Sequence, residues 1–204
     1  MSILQQAQKP GVSPLICTIT GDAGVGKTRL AASFPKPVFV RAEDGMDSIP
    51  MDQRPDALPV VERVEDLWQQ LTALIQEEHQ YQTVAIDSVT ALERMFIQYV
   101  VDSDPKKPRT INQALGGYGA GLAAVAAMHH RVRKAAGMLQ KRGVHVVFIA
   151  HADTSTVEPP DQDPYTRYDL RLAEGENPLV QYIPALQTTA KAAASATTNT
   201  TTKE

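Results

Sequence analysis

The chain has 204 residues, enough for one α/β domain with a full core, and 43% of them are apolar. No run approaches the roughly 20 apolar residues of a membrane span, and Met1–Pro10 lacks the apolar stretch of a signal peptide, so a cytoplasmic protein with no membrane partner is expected. Cys17 is the only cysteine, which excludes an intrachain disulfide and a cysteine metal cluster. The net charge of −3 conceals a segregation: Pro105–Arg142 holds eight of the 20 basic residues and none of the 23 acidic ones. Such a stretch is either a surface for a polyanion or a solvated helix face whose acidic partners lie elsewhere.

Pro14–Thr20 is an apolar, β-prone run that predicts the first strand. It leads into Gly21-Asp22-Ala23-Gly24-Val25-Gly26-Lys27-Thr28, a complete G-x-x-x-x-G-K-[ST] loop, and then into a short helical pattern, Arg29–Phe34, stopped by Pro35. Glycines at 21, 24 and 26 let the backbone wrap an anion, and its N–H groups point at the phosphates. Lys27 can reach the β- and γ-phosphates of ATP, and the Thr28 hydroxyl can ligand Mg²⁺. Residues 21–29 are thus the predicted nucleotide-binding segment, with Arg29 its last member.

Pro37–Arg41 reads as the second strand, ending in Glu43-Asp44-Gly45. A carboxylate there can orient or deprotonate a water in line with the γ-phosphate, with Glu43 favoured and Asp44 the rival. Val60-Val61 suggests a short strand, and Leu67, Leu71, Leu74 and Ile75 mark one face of a helix over about Val64–Glu78. Thr83–Asp87 is a third buried strand, and Asp87, one βα unit beyond the glycine loop, is expected in the Mg²⁺ shell. A helix over about Ser88–Val101 follows.

Asp102–Gly121 reads as a long connection carrying Lys106, Lys107 and Arg109, and long loops in compact domains are often functional. A helix over about Leu122–Gln140 precedes the strand Val144–Ala150, which ends in His151. Imidazole at that place can hydrogen-bond a γ-phosphate. His129 and His130, in the helix, read as surface or packing residues. Tyr165–Leu172 alternates like an edge or hairpin strand. Strands separated by helices imply an α/β fold with a mainly parallel sheet, helices on both faces, and ligands beyond the carboxyl ends of the strands. The expected organisation is a flexible N-terminus (1–12), one core (13–186) and a disordered Ala/Thr-rich tail (187–204).

Together, Gly21–Thr28, Phe34–Val40, Glu43-Asp44-Gly45, Ile86–Thr90, Gly117-Tyr118-Gly119 and Val144–His151 resemble the RecA-like P-loop ATPase core. More closely, they are similar to small phage-encoded AAA/RecA-like ATPases, some of which are single-strand-annealing recombination proteins. The resemblance implies ATP hydrolysis with Lys27, Thr28, Asp87 and Glu43, and His151 as a γ-phosphate sensor. It also implies single-stranded DNA binding through mobile loops and assembly into a ring or filament of identical subunits; a single-strand-binding protein is a further expected partner. The DNA-facing loops would be about Asp102–Gly121 and Ala152–Tyr165. Lys106, Lys107 and Arg109 suit phosphate contacts, whereas Asp153, Glu158, Asp161 and Asp163 repel them. Tyr118 and Tyr165 can stack on bases, with packing the favoured role for each. Beyond Leu172 the resemblance calls for further core strands, for which only Leu179–Leu186 is available, and Arg167 and Arg171 are the candidates for an arginine finger.

A nucleotide-switched loader that acts through a replication or single-strand-binding protein, without touching DNA, is the second function class. A small-molecule kinase is disfavoured, because no arginine-rich lid is evident.

Overall fold

The computed structural model describes residues 14–158 and 163–170. Five strands form a parallel sheet in the order β1-β5-β4-β2-β3: β1 Ile16–Gly21, β2 Pro37–Arg41, β3 Asp56–Ala57, β4 Thr83–Asp87 and β5 His145–Val157. The connections carry α1 Lys27–Ala32, α2 Val64–Gln76, α3 Val89–Ser103 and α4 Ala120–Lys141. β6, Tyr165–Leu170, pairs antiparallel with the outer half of β5, from Ala152 to Val157.

The buried strands are apolar on both faces because both are covered. Alternation sends Val38, Val40, Val84, Ile86, Val146 and Phe148 to one side, where they meet α2, α3 and α4. Phe39, Ala85, Val147 and Ile149 point the other way and meet Ala31 of α1 and Met46. The expected two-sided cover is present but uneven: among the described residues, one helix of six residues serves the second face.

Each long helix buries one stripe. In α4 the stripe is Val125, His129, Val132, Ala136 and Leu139, spaced by three and four. In α3 it is Val89, Leu92, Phe96 and Val100. Phe96 is fully buried, stacked on Trp68 at 5.9 Å and edge-on to His129 at 5.1 Å. Burying a phenylalanine stabilises by about 1.5–3 kcal/mol, and each aromatic pair adds about 0.5–1.5 kcal/mol. Ser88 caps α3, its Oγ accepting from the Ala91 N–H at 3.1 Å. At the C-terminal end of α2, Arg142 donates to the carbonyls of Leu74 and Ile75, in the last turn, and of Glu77 just beyond it.

Four expectations are corrected. Val60-Val61 forms no strand; the short edge strand is Asp56–Ala57, and Val61 instead buries its side chain and donates its N–H to the Arg41 carbonyl at 2.8 Å. The segment after Ala150 is not a loop: β5 continues to Val157 and forms a hairpin arm with β6, in keeping with the β-branched content of Thr154–Val157. The connection after α3 is also partly structured, with 3₁₀ turns within Ile111–Gly116 broken by a kink at Ala114 and Leu115. Tyr118 does not pack; its side chain is fully exposed. The side chain of Tyr165, those of Arg167 and Arg171, and the segments 1–12 and 179–204 lie outside what the structure describes.

Candidate functional site

β1 ends beside β5, with Gly21 in register with His151, and β4 ends beside β2, with Asp87 in register with Arg41. The chain leaves β1 through α1 and rejoins the sheet at β2, passing over β5 and β4. α1 leaves β1 on one face of the sheet while α3 leaves β4 on the other, and that divergence opens the crevice in which open α/β sheets bind ligands. The glycine loop lies at its rim. Gly24 and Gly26 hold φ of 79° and 90°, left-handed values that suit glycine, and Asp22 to Gly26 are exposed. Arg29 is exposed on α1.

Lys27 is the first residue of α1 and is buried, 8% exposed. Its ammonium donates to the carbonyls of Gly21 at 2.9 Å and Asp22 at 2.8 Å. The lysine is therefore held along the loop that it would serve. The Thr28 hydroxyl donates to Asp87 Oδ2 at 2.8 Å, joining residues 59 positions apart. Burial raises the Asp87 carboxyl above its ordinary value; the Thr28 bond opposes this, Glu43 adds to it, and His151 and Lys27 oppose it. A buried carboxylate beside a hydroxyl, with a raised proton affinity, is a donor set that a hard cation suits. Gly45 lines the same spot. A Cβ there would lie 3.0 Å from Asp87 Oδ2 and 3.2 Å from Thr28 Oγ1, so the space next to these oxygens depends on glycine.

Glu43 stands across this pair. Its N–H donates to the Asp87 carbonyl at 3.2 Å. Its carboxylate reaches His151 Nε2 at 2.8 Å through Oε1 and Arg94 at 3.6 Å through Oε2. A carboxylate only accepts, so Nε2 carries the hydrogen in this contact. The His151 backbone N–H donates to Thr90 Oγ1 at 3.0 Å. Asp44, the rival carboxylate, is 70% exposed and turns to Arg41 at 4.0 Å.

Lys27, Thr28, Glu43, Asp87 and His151 thus converge, while Lys106, Lys107 and Arg109 belong to a separate feature. All three are exposed on the connection between α3 and α4. Asp104, buried at the end of α3, organises that connection by accepting from the N–H groups of Lys106 at 2.9 Å and Leu115 at 2.6 Å. Those backbone bonds hold its carboxyl below the ordinary value. Lys107, Leu115 and Tyr118 take positive φ, and Leu115 and Tyr118 are displayed outward. The basic residues of α4 are partly structural: Arg131 lies over the Trp68 ring at 4.1 Å, and Arg142 caps α2. His129 is a packing residue, as expected, and fully buried.

Three contributors escape a reading of the sequence. Gly45 looks like an ordinary turn residue, and Thr90 and Arg94 look like ordinary helix residues. The only sequence cue is their helical spacing of four just after Asp87.

A parallel α/β sheet whose first strand opens into this loop, with the loop threonine bonded to the aspartate of a neighbouring strand, defines a P-loop nucleotide-binding protein. Residues 13–201 match the AAA domain family AAA_24, and the chain belongs to that family. No curated protein matches it. Among the described residues, no helix is long and apolar enough to cross a membrane.

Proposed function

We propose that the chain binds and hydrolyses ATP with Mg²⁺, and uses that cycle to bind single-stranded DNA and promote annealing in recombination. The observation that carries the nucleotide part is the Thr28–Asp87 bond at 2.8 Å with Glu43 beside it and only glycine at position 45. Thr28 and Asp87 would hold Mg²⁺, which would supply neutralisation of phosphate charge. Lys27 exchanges the carbonyls of Gly21 and Asp22 for phosphate oxygens. Glu43 orients the attacking water and accepts its proton, and His151, joined to Glu43, senses the γ-phosphate. Glu43→Gln is expected to bind ATP and hydrolyse it slowly; normal turnover would move the role to another carboxylate.

The DNA part rests on the connection after α3. Exposed Lys106, Lys107 and Arg109 offer phosphate contacts, and fully exposed Tyr118 offers a stacking face. Assembly into a ring or filament would align these loops along one strand. Leu115, half exposed next to Tyr118, supports a second reading, in which the loop docks a protein such as a single-strand-binding partner.

The test is the ATPase rate with and without single-stranded DNA at two salt concentrations. Stimulation that salt weakens supports direct DNA binding. Hydrolysis indifferent to DNA overturns it and favours the protein-docking reading.

A further inference from the structure

Arg94 is 70% exposed, yet it is directed at the nucleotide crevice rather than away from it. Its guanidinium lies 3.6 Å from Glu43 Oε2, while His151 holds Oε1 at 2.8 Å. Both carboxylate oxygens therefore have a partner, and the two partners come from different elements. Thr90 sits four residues before Arg94, on the same face of α3, and accepts the His151 N–H at 3.0 Å. One helix face thus holds the main chain of His151 through Thr90 and the carboxylate of Glu43 through Arg94. Glu43 itself lies past the end of β2, where the backbone bond to Asp87 fixes its main chain, and the direction of its carboxylate is set by His151 and Arg94. An ion pair this exposed contributes little to fold stability. What it supplies is the direction of one carboxylate oxygen.

We infer that Arg94 is a positioning residue for hydrolysis, aiming the Glu43 carboxylate at the water that attacks the γ-phosphate. The inference rests on the proposed role of Glu43. It acts through that carboxylate, so its loss affects turnover rather than nucleotide affinity. A misdirected catalytic group costs about 10- to 100-fold in rate. The contact is made by a single nitrogen, so a lysine can supply much of it.

The experiment is steady-state and single-turnover ATP hydrolysis by the full chain, by Arg94→Ala and Arg94→Lys, and by Arg94→Ala combined with Glu43→Gln. Arg94→Ala should lower kcat about 10-fold or more with KM for ATP within about twofold, and Arg94→Lys should recover most of the rate. In the Glu43→Gln background, Arg94→Ala should cost nothing further, because the group it aims is gone. Melting temperature serves as the fold control and should not move. Wild-type turnover by Arg94→Ala overturns the inference while leaving the ATPase reading intact. So does an equal loss with and without Glu43. A wild-type chain that binds ATP without hydrolysing it overturns both.

Discussion

Gly45→Ala tests the cation site without removing any of its donors. The backbone at Gly45 has φ −98° and ψ −3°, values that alanine adopts without strain, so the turn itself is preserved. The added methyl would meet Asp87 Oδ2 at 3.0 Å and Thr28 Oγ1 at 3.2 Å, both inside the 3.4 Å at which ordinary contact begins. Those two oxygens are tied to each other at 2.8 Å and cannot retreat independently. Either their bond stretches or the Glu43–Gly45 turn shifts. Overpacking of this kind costs about 1–3 kcal/mol. If the cost falls on the cation site, Mg²⁺-dependent ATP affinity weakens about 5- to 150-fold, at about 1.4 kcal/mol per factor of ten. The assay is titration with a fluorescent ATP analogue in Mg²⁺ and again in chelator. The expected result is a large loss in Mg²⁺ and almost none in chelator. Equal losses in both would mean that the methyl disturbs the phosphate loop. No loss in either would mean that Thr28 and Asp87 do not hold the metal.

Asp87→Asn should stabilise the nucleotide-free chain at neutral pH. The folded carboxyl has a raised pKa, so the fold holds its proton more tightly than the unfolded chain does, and ionisation above that range destabilises. A higher melting temperature without ligand, together with loss of the rise caused by Mg²⁺ and ATP, is the expected pair of results in thermal melts; a lower one without ligand counts against the reasoning. His129 has the opposite sign. Burial, with His130 second, holds its pKa down at about 4, against 6.5 when unfolded. Its stabilising share is complete above pH 6.5 and is lost as pH falls towards 4, by at most about 3 kcal/mol. Urea unfolding between pH 7 and pH 4 should show a smaller fall in stability for His129→Leu than for wild type, and an identical fall would exclude His129 as the source; Glu93, 4.0 Å from the ring, is the other titratable group there. Reversing Lys106, Lys107 and Arg109 to Glu should weaken single-strand binding and flatten the log–log salt slope by about 2, at about 0.7 per lost phosphate contact. Unchanged affinity in a filter-binding series would place the DNA elsewhere.

The parts of this fold that can be read from the sequence are those in which local pattern and tertiary demand coincide. β2 and β4 run from Pro37 to Arg41 and Thr83 to Asp87, as their apolar runs suggest, because a strand buried on both faces needs an unbroken run. The stripe of α2 is likewise plain in Leu67, Leu71 and Leu74. β3 is not legible: Asp56–Ala57 has no apolar signature, because a two-residue exposed edge needs only backbone pairing. The outer half of β5 is hidden for a related reason, since its register is set by backbone pairing with β6. At the site, Glu43 and Asp44 are adjacent carboxylates that composition cannot separate. Their side chains turn to His151 and Arg41 respectively, which only tertiary structure reveals. Arg94 is hidden because its partner lies 51 positions earlier in the chain, and Gly45 because its meaning comes from the space it leaves beside two oxygens, on Thr28 and Asp87, far from it in sequence.

The strand order also dictates when this site can exist. β1, which carries the phosphate loop, finds its only partner among the described residues in β5, with Ile16 in register with Val146. That pairing closes a loop of 130 positions, whereas the pairing of β2 with β4 closes a much shorter one. Contacts so distant in sequence are slow to form, because their closure entropy must be overcome before they contribute. During synthesis, the glycine loop leaves the ribosome before β2, β3 and β4, and then waits for β5. The phosphate loop is in this sense the last part of the site to be seated: a chain halted before His145 carries every residue of the glycine loop and lacks the strand that β1 pairs with.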